Sequence, residues 1–138
     1  MAMLSQAVSI LLVDDTDAQR YAIARTLTAK GFAVQEARTG TQALQLAQQQ
    51  PDIILLDVML PDLDGFEVCR RLKDDPATAH IPVIHLSAHL VQTEDRIHGF
   101  RGGADDYIAQ PVTPEELVAK IGVWSRVRSA EADLRRKN

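Results

Sequence analysis

The sequence predicts an α/β protein, in which a parallel β-sheet is covered by helices on both faces. Apolar runs of four to seven residues alternate along the chain with segments of helical periodicity, and five such pairs can be counted. The run at 53–56 is the most apolar and shows no alternation, which is typical of a central parallel strand buried on both sides. A length of 138 residues allows one domain with a full core.

Each predicted strand is an apolar run that stops at a polar residue or a turn signal. The first run, Ile-Leu-Leu-Val, stops at Asp14 and Asp15, and the third, central run stops at Asp57. The second is shorter, and the fourth and fifth precede Ser87 and Gln110. Strands are predicted at residues 9–13, 32–36, 52–57, 83–86 and 104–109.

The helix ends are predicted from capping and stop signals. Gly31 is a typical stop for the first helix, and Pro51 ends the second. Asp64 is a predicted N-cap for the third, with Glu67 completing a capping box, and Pro114 opens the last helix. Helices are predicted from about 17 to 30, 39 to 49, 65 to 73 and 93 to 101, and from 114 onward, with Tyr21, Ala24, Leu27 and Thr28 recurring at helical spacing in the first.

The last helix extends beyond what a domain of this size needs. Its apolar stripe runs at steps of three or four from Leu117 through Trp124 to Leu134. We therefore predict a domain over residues 1–124 and a helical extension or linker over 125–138. Two interpretations of the extension stay open: its end frays, or it continues into a partner helix or a downstream domain.

Composition and charge exclude several functions. Hydrophobic residues make up 46% and charged residues 25%, as in ordinary globular domains. Residues 1–124 carry a net charge of −7 and only 4% of the chain is aromatic, so no surface for nucleic acid is evident. No apolar run reaches the roughly 18 residues of a membrane span. One cysteine and no basic leader predict a cytoplasmic location.

The polar residues that follow the strands predict a metal site. In an open parallel sheet, ligands bind outside the carboxyl ends of the strands, where Asp14, Asp15 and Asp57 are expected to meet. Three converging carboxylates repel one another unless they share a cation. Mg2+ suits this set because it takes oxygen ligands and needs few protein carboxylates beside a phosphate. Without Asp57, we would interpret Asp14 and Asp15 as turn residues or as a helix cap.

Four stretches carry a resemblance to a known family: LLVDD at 11–15, PDIILLDVMLPDLDG at 51–65, PVIHLSA at 82–88 and GADDYIAQP at 103–111. In this order and spacing they resemble the receiver domain of two-component response regulators, including the receiver modules of hybrid sensor kinases and multidomain regulators. The resemblance implies a flavodoxin-like, doubly wound parallel sheet of five strands in the order 2-1-3-4-5, with five helices and an extended last one.

The resemblance also implies a role for each matching site residue. Asp57 is similar to the phosphoacceptor, which takes a phosphoryl group from phosphohistidine. Asp14, Asp15, Asp57 and the backbone carbonyl of Met59 correspond to the Mg2+ ligands. Ser87 corresponds to the switch hydroxyl; the alternative interpretation is a solvated loop serine with no role in the site. Tyr107 corresponds to the switch aromatic, whose alternative is a half-buried strand residue.

One position departs from the family pattern. Gln110 stands where the family has a lysine before a proline, so a neutral amide replaces a full positive charge. This predicts a weaker switch, since hydrogen bonds to charged groups exceed neutral ones by about 1 kcal/mol. The alternative function is a weakly switching or phosphorylation-independent adaptor or dimerisation module. The Gln110–Pro111 peptide is expected to be cis, as the family commonly has it, and Gln110→Lys is expected to raise the phosphorylated fraction.

The resemblance implies partners and excludes an enzyme with its own substrate. A histidine kinase or a phosphotransfer protein is the expected donor. A homodimer is expected to form through the fourth helix, last strand and last helix, or through the C-terminal extension. Phosphatases that use an aspartyl intermediate carry a second aspartate where this chain has Met59, so only self-phosphorylation and dephosphorylation are expected. His85 is interpreted as a packed strand residue or as support for the pocket.

Overall fold

The computed structural model describes residues 7–87 and 103–137, and it contains a five-stranded sheet and four helices in that part of the chain. The helix predicted at 93–101 lies outside the described residues. The strands are β1 (Ser9–Val13), β2 (Ala33–Ala37), β3 (Ile53–Asp57), β4 (Val83–Ser87) and β5 (Asp106–Ala109). The helices are α1 (Asp17–Ala29), α2 (Gly40–Ala47), α3 (Gly65–Asp74) and the C-terminal helix (Pro114–Lys137).

The strand order is β2-β1-β3-β4-β5, and every neighbouring pair is parallel. This confirms the predicted fold and order. β3 lies at the centre and its first four residues are buried, as its uninterrupted apolar sequence predicts. Because all strands run in the same direction, their carboxyl ends meet at one edge of the sheet, which is where the polar strand-end residues gather.

Two cores form because successive side chains of a strand point to opposite faces. In β1 and β3, Leu11 and Ile54 face the first core, whereas Ile10 and Ile53 face the second. The first core lies under α2 and α3, with Ala43, Ala47, Val68, Cys69 and Leu72 among its members. The second lies under α1 and the C-terminal helix, with Ile23, Ala24, Leu27, Leu117 and Ile121.

Two details of α1 and α3 differ from the sequence prediction. The buried face of α1 comprises Ile23, Ala24 and Leu27, whereas Tyr21 is 60% exposed, with its ring beside Arg25 at the surface. Asp64 caps α3 as predicted, by accepting from the N–H of Phe66. The second half of the capping box is wrong, because the carboxylate of Glu67 pairs with Arg70 and Arg71 instead.

Strand and helix bounds shift by small amounts from those predicted. β2 begins at Ala33 rather than at residue 32, and β5 begins at Asp106 rather than at residue 104. β4 includes Ser87, which the prediction placed after the strand. Gly31 ends α1 with a φ of 95°, a left-handed conformation that glycine adopts without steric cost.

The C-terminal helix is continuous over 24 residues, so no break in the backbone marks residue 124. Leu117 and Ile121 are buried on the second core, whereas Val123 and Leu134 are exposed. Trp124 packs at the edge of this core, and its indole N–H donates to Asp106. None of the helices in the described part of the chain combines the length and apolarity that a bilayer crossing requires.

Candidate functional site

Three carboxylates converge at the carboxyl edge of the sheet. Asp14 directly follows β1, and Asp57 ends the neighbouring strand β3. Each of Asp14, Asp15 and Asp57 offers one oxygen, and these oxygens lie within 4.8 Å of one another. Asp14 is fully buried and Asp57 is half-buried, whereas Asp15 is exposed. The structure thus places the three predicted residues close enough to share one ion.

The loop after β3 is held tightly against the strand end. Met59 donates its N–H to Asp57 Oδ1 at 3.1 Å, and the N–H of Gly65 donates to the carbonyl of Val58 at 2.8 Å. A Cβ at position 65 would overlap the carbonyl of Asp57 and the backbone of Val58, so only glycine fits there. Gly65 therefore allows the start of α3 to lie directly against the end of β3.

The same loop is tied to α2 by a residue that sequence analysis left without a role. Asp62 accepts from the N–H groups of Gly40 and Thr41 and from the Thr41 hydroxyl, at 2.7 to 3.0 Å. These hydrogen bonds hold the pKa of Asp62 well below its usual range. Its position beside the DG pair is visible in the sequence, but its partner residues lie some 20 positions earlier and emerge only in the folded chain.

The charge at this edge is not balanced by protein cations. Burial, together with the neighbouring carboxylates of Asp14 and Asp15, raises the pKa of Asp57 to about 6. In the described residues, no salt bridge joins a lysine or arginine to any of the three carboxylates. Arg20 lies near, but its guanidinium is engaged by Asp17, Glu36 and a backbone carbonyl. The arrangement favours a bound cation.

Two side-chain amides, those of Gln19 and Gln110, meet at the position where the family has a lysine. The N–H of Gln110 donates to the carbonyl of Ser87 at 3.0 Å, which places the end of β5 beside the end of β4. The side-chain nitrogen of Gln19 donates to Asp14 Oδ2 at 2.5 Å and to Gln110 Oε1 at 3.2 Å. The peptide bond between Gln110 and Pro111 is cis, as expected.

The predicted switch residues lie along β4 and β5. Ser87 is the last residue of β4 and is 4% exposed, so it is not a solvated loop serine. Tyr107 is half-buried and packs against the first core, and burial raises the pKa of its hydroxyl to about 12. Their assigned roles in switching stay predictions.

His85 links Tyr107 to the interior. It is fully buried, with its Nδ1 at 3.2 Å from the carbonyl of Leu56. Its ring lies 5.1 Å from that of Phe66, edge-on, and 5.5 Å from that of Tyr107 at a 31° tilt. His85 is thus a packed strand residue that contacts the aromatic ring next to the site, which matches one of the two interpretations of the sequence.

The donor set fits a hard divalent cation. All three side chains are carboxylates, which suits Mg2+ rather than a transition metal. In residues 7–87 and 103–137, this trio is the one acidic, histidine or cysteine group close enough to hold an ion. Met59 is exposed on the adjoining loop, where its carbonyl was predicted as a further ligand.

Gln19 is the site residue that sequence analysis missed. It lies in the first turns of α1, five positions after Asp14. A polar residue at this point of a helix that starts beside the strand end was the available signal. Its contact with Gln110 spans 91 positions and could not be predicted from spacing.

Comparisons with known proteins agree with this geometry. Residues 10–122 match the family described as response regulator receiver domain. The chain belongs to this family. The predicted resemblance is therefore confirmed: residues 10–122 form a receiver domain, a signalling module of two-component systems, with an acidic pocket consistent with Mg2+-dependent phosphorylation. Receiver domains work with histidine kinases as partners.

Relatives of this receiver domain include longer proteins. It is 43% identical over 129 residues to the response regulator PleD of Caulobacter vibrioides, covering 93% of this chain and 28% of PleD. It is 47% identical over 113 residues to the DNA-binding dual master transcriptional regulator RpaA of Synechocystis, covering 81% of this chain and 46% of RpaA. The chain thus spans less than half the length of these two relatives.

A solved structure supports the assignment of the acidic edge. The receiver domain of the sensor histidine kinase PA1611 from Pseudomonas aeruginosa has a magnesium ion coordinated in its active site cleft. It matches with a TM-score of 0.81 and 32% identity, covering 87% of this chain and 98% of that one.

Proposed function

We propose that Asp57 accepts a phosphoryl group from a phosphohistidine, with Mg2+ held by Asp14, Asp15, Asp57 and the Met59 carbonyl. The observation that carries this proposal is the convergence of three carboxylates that no described cation balances. The magnesium ion in the PA1611 receiver domain supports the choice of metal. The donor is a histidine kinase or a phosphotransfer protein, and both would act in the cytoplasm.

The chemistry needs positioning rather than a general base. A carboxylate oxygen of Asp57 forms a bond to phosphorus while the phosphorus–nitrogen bond of the donor breaks, and the imidazole leaves with the bonding electrons. Bound Mg2+ supplies electrostatic stabilisation of the negative charge on the phosphoryl oxygens. Gly65 and Met59 hold the nucleophile at the strand end, since one shapes the loop and the other donates to Asp57.

The response to phosphorylation is assigned to the ends of β4 and β5. Ser87 is the hydroxyl that donates to the phosphoryl group, and Gln110 supplies an amide donor in place of the lysine. Tyr107 follows as the switch aromatic, with its ring constrained by contact with His85. The output surface is formed by the predicted fourth helix, β5 and the C-terminal helix, through which a homodimer or another partner binds.

The C-terminal helix supports a second candidate. Its continuity through residue 124 and the exposure of Leu134 favour a role of residues 125–138 as a connecting or dimerising helix beyond the domain at 1–124. Together with the neutral Gln110, this favours an adaptor that dimerises with weak dependence on phosphorylation. The phosphorylation test below separates this adaptor from the switch.

Incubation with acetyl phosphate and Mg2+, followed by intact mass measurement, tests the proposal. We expect one phosphoryl group on the unmodified protein, none on Asp57→Ala and none when EDTA removes the metal. Asp74→Ala, which alters an exposed carboxylate of α3, is the matched control and is expected to behave as the unmodified protein. Equal incorporation in Asp57→Ala would refute Asp57 as the acceptor, and no incorporation in any form would favour the adaptor.

A further inference from the structure

The amide of Gln19 connects two groups that the phosphorylation chemistry uses. One nitrogen, Nε2, donates to both Asp14 Oδ2 and Gln110 Oε1. The other oxygen of Asp14 accepts from the N–H of Thr16 at 2.9 Å, so both oxygens of this carboxylate have protein donors. A continuous chain of hydrogen bonds therefore runs from the cis peptide at the end of β5 to a proposed metal ligand.

The direction of this chain follows from the chemistry of its ends. A carboxylate only accepts hydrogen bonds, so Gln19 must turn its amino end toward Asp14. The second hydrogen of that amino group then requires an acceptor, and Gln110 provides its carbonyl oxygen. The two hydrogens on Nε2 of Gln110 are left as donors, and no partner for them occurs among the described residues.

Without Gln19, the contact that fixes the orientation of the Gln110 side-chain amide would be lost. A free amide side chain rotates among several rotamers and can offer either its oxygen or its nitrogen to the site. An oxygen would oppose a phosphoryl group, because both carry negative charge. The contact with Gln19 removes this ambiguity, since the oxygen of Gln110 is already occupied.

We propose that Gln19 is a positioning residue for phosphoryl transfer, which orients Gln110 so that its amide N–H groups serve as donors to a phosphoryl group on Asp57. The two glutamines act as a neutral pair in the place of the family's lysine. This inference rests on the proposed function and names the device that supports it in this chain.

A double-mutant cycle tests whether the two residues act as a pair. Gln19→Met and Gln110→Met keep the side-chain length and remove the amide. We expect each to slow phosphorylation by acetyl phosphate at saturating Mg2+ by roughly 3- to 10-fold, the size of one lost hydrogen bond. The double variant is expected to be no slower than Gln110→Met alone, because at saturating Mg2+ Gln19 affects the rate only through Gln110. Multiplied effects, or an unchanged rate in Gln19→Met, would overturn the proposal.

A second experiment introduces Gln19→Met into the Gln110→Lys variant. In Gln110→Lys the cation reaches the phosphoryl group without an amide to orient it, so adding Gln19→Met is expected to change the rate by less than about 2-fold. The same loss in both backgrounds would show that Gln19 acts only through Asp14. The matched control is Gln45→Met, an exposed glutamine of α2 that is expected to have no effect.

Magnesium affinity separates positioning from metal binding and from misfolding. Calorimetric titration with Mg2+ is expected to show unchanged affinity for Gln110→Met, and a modest loss for Gln19→Met, which also removes a donor to Asp14. Weakened Mg2+ binding by Gln110→Met would overturn the separation of the two roles. If neither the unmodified protein nor Gln110→Lys is phosphorylated although Mg2+ binds, the proposed function itself fails. Phosphorylation of Asp57 that is insensitive to Gln19 refutes only this inference.

Discussion

Both ends of the sheet carry a pair of adjacent aspartates, but among the described residues only the pair at the amino end of β5 has lysine partners. At the amino end of β5, Asp105 accepts from Lys73 Nζ at 2.9 Å and from the N–H of Val83 at 2.8 Å. Asp106 accepts from Lys120 and from the Trp124 indole at 2.9 and 3.0 Å. At the carboxyl end of β1 and β3, the three aspartates have no described cation.

The difference separates structural charges from functional ones. Although burial raises the pKa of Asp106, hydrogen bonds from Trp124 and Lys120 outweigh it and lower the value below the usual range. Burial and neighbouring carboxylates instead raise the pKa of Asp57. Carboxylates paired with a lysine stabilise the fold, whereas converging carboxylates without a protein cation lower its stability until a ligand binds. The same residue type therefore serves opposite purposes at the two ends.

The largest expected effect comes from removing the cation at the amino end. Lys73 is mostly buried, and its ammonium donates to Asp105 and to the carbonyl of Ile81. Lys73→Met keeps the stem and leaves Asp105 without its cation, so we expect a loss of about 2–3 kcal/mol in the free energy of unfolding. Urea denaturation measures this value.

The matched control for Lys73 is Arg70, one turn away on α3. Its ion pairs with Glu67 and Asp74 are exposed to solvent. We expect Arg70→Met to change the free energy of unfolding by less than about 0.5 kcal/mol. Equal losses for the two variants would mean that the partners of Asp105 contribute no more than a surface ion pair does.

The second prediction is a gain in the free energy of unfolding rather than a loss, and it depends on pH. Because the pKa of Asp57 rises from 3.8 to about 6 on folding, the folded state binds more protons than the unfolded state between these values. The stability of the metal-free protein therefore falls as pH rises through this window. Asp57→Asn removes the titration, so we expect it to be more stable by about 1–2 kcal/mol at pH 7, after allowing for solvent screening.

The pH and metal dependence make this prediction specific. The advantage of Asp57→Asn is expected to shrink as pH falls and to vanish below about pH 3, where Asp57 is protonated in both states. Saturating Mg2+ is expected to reverse it at pH 7, since a ligand that binds the folded state stabilises that state. Thermal unfolding in EDTA and in Mg2+ measures both effects, and a pH-independent advantage would contradict the assigned cause.

The smallest effect concerns one hydrogen bond at the amino end. Trp124→Phe removes the donor to Asp106 Oδ2 but leaves the contact with Lys120 in place. We expect a loss of about 1 kcal/mol in the free energy of unfolding. Circular dichroism is the suitable probe, because Trp124 is the single tryptophan of the chain. Val123→Ala, at an exposed neighbouring position, is expected to have less effect, and a loss equal to that of Trp124→Phe would contradict the role of the indole.

Local patterns in the sequence were sufficient for the fold. The apolar runs and turn signals predicted all five strands, because a buried parallel strand must be apolar on both faces. The helix starts at Gly65, after the N-cap Asp64, and at Pro114 were also predicted correctly, since capping involves residues a few positions apart. The capping box at Glu67 was wrong because two nearby arginines compete for its carboxylate. Tyr21 was misplaced because several faces of α1 carry apolar residues.

By itself, the sequence determined the sheet, its family and the acidic residues at the strand ends, because these follow from local patterns and from the order and spacing of motifs along the chain. Only the tertiary structure decided which charges have partners. The contacts of Gln19 with Gln110, of Asp62 with Thr41 and of Lys73 with Asp105 join residues 91, 21 and 32 positions apart. Hydrogen bonds form only at short distances, and packing of the helices on the sheet sets those distances.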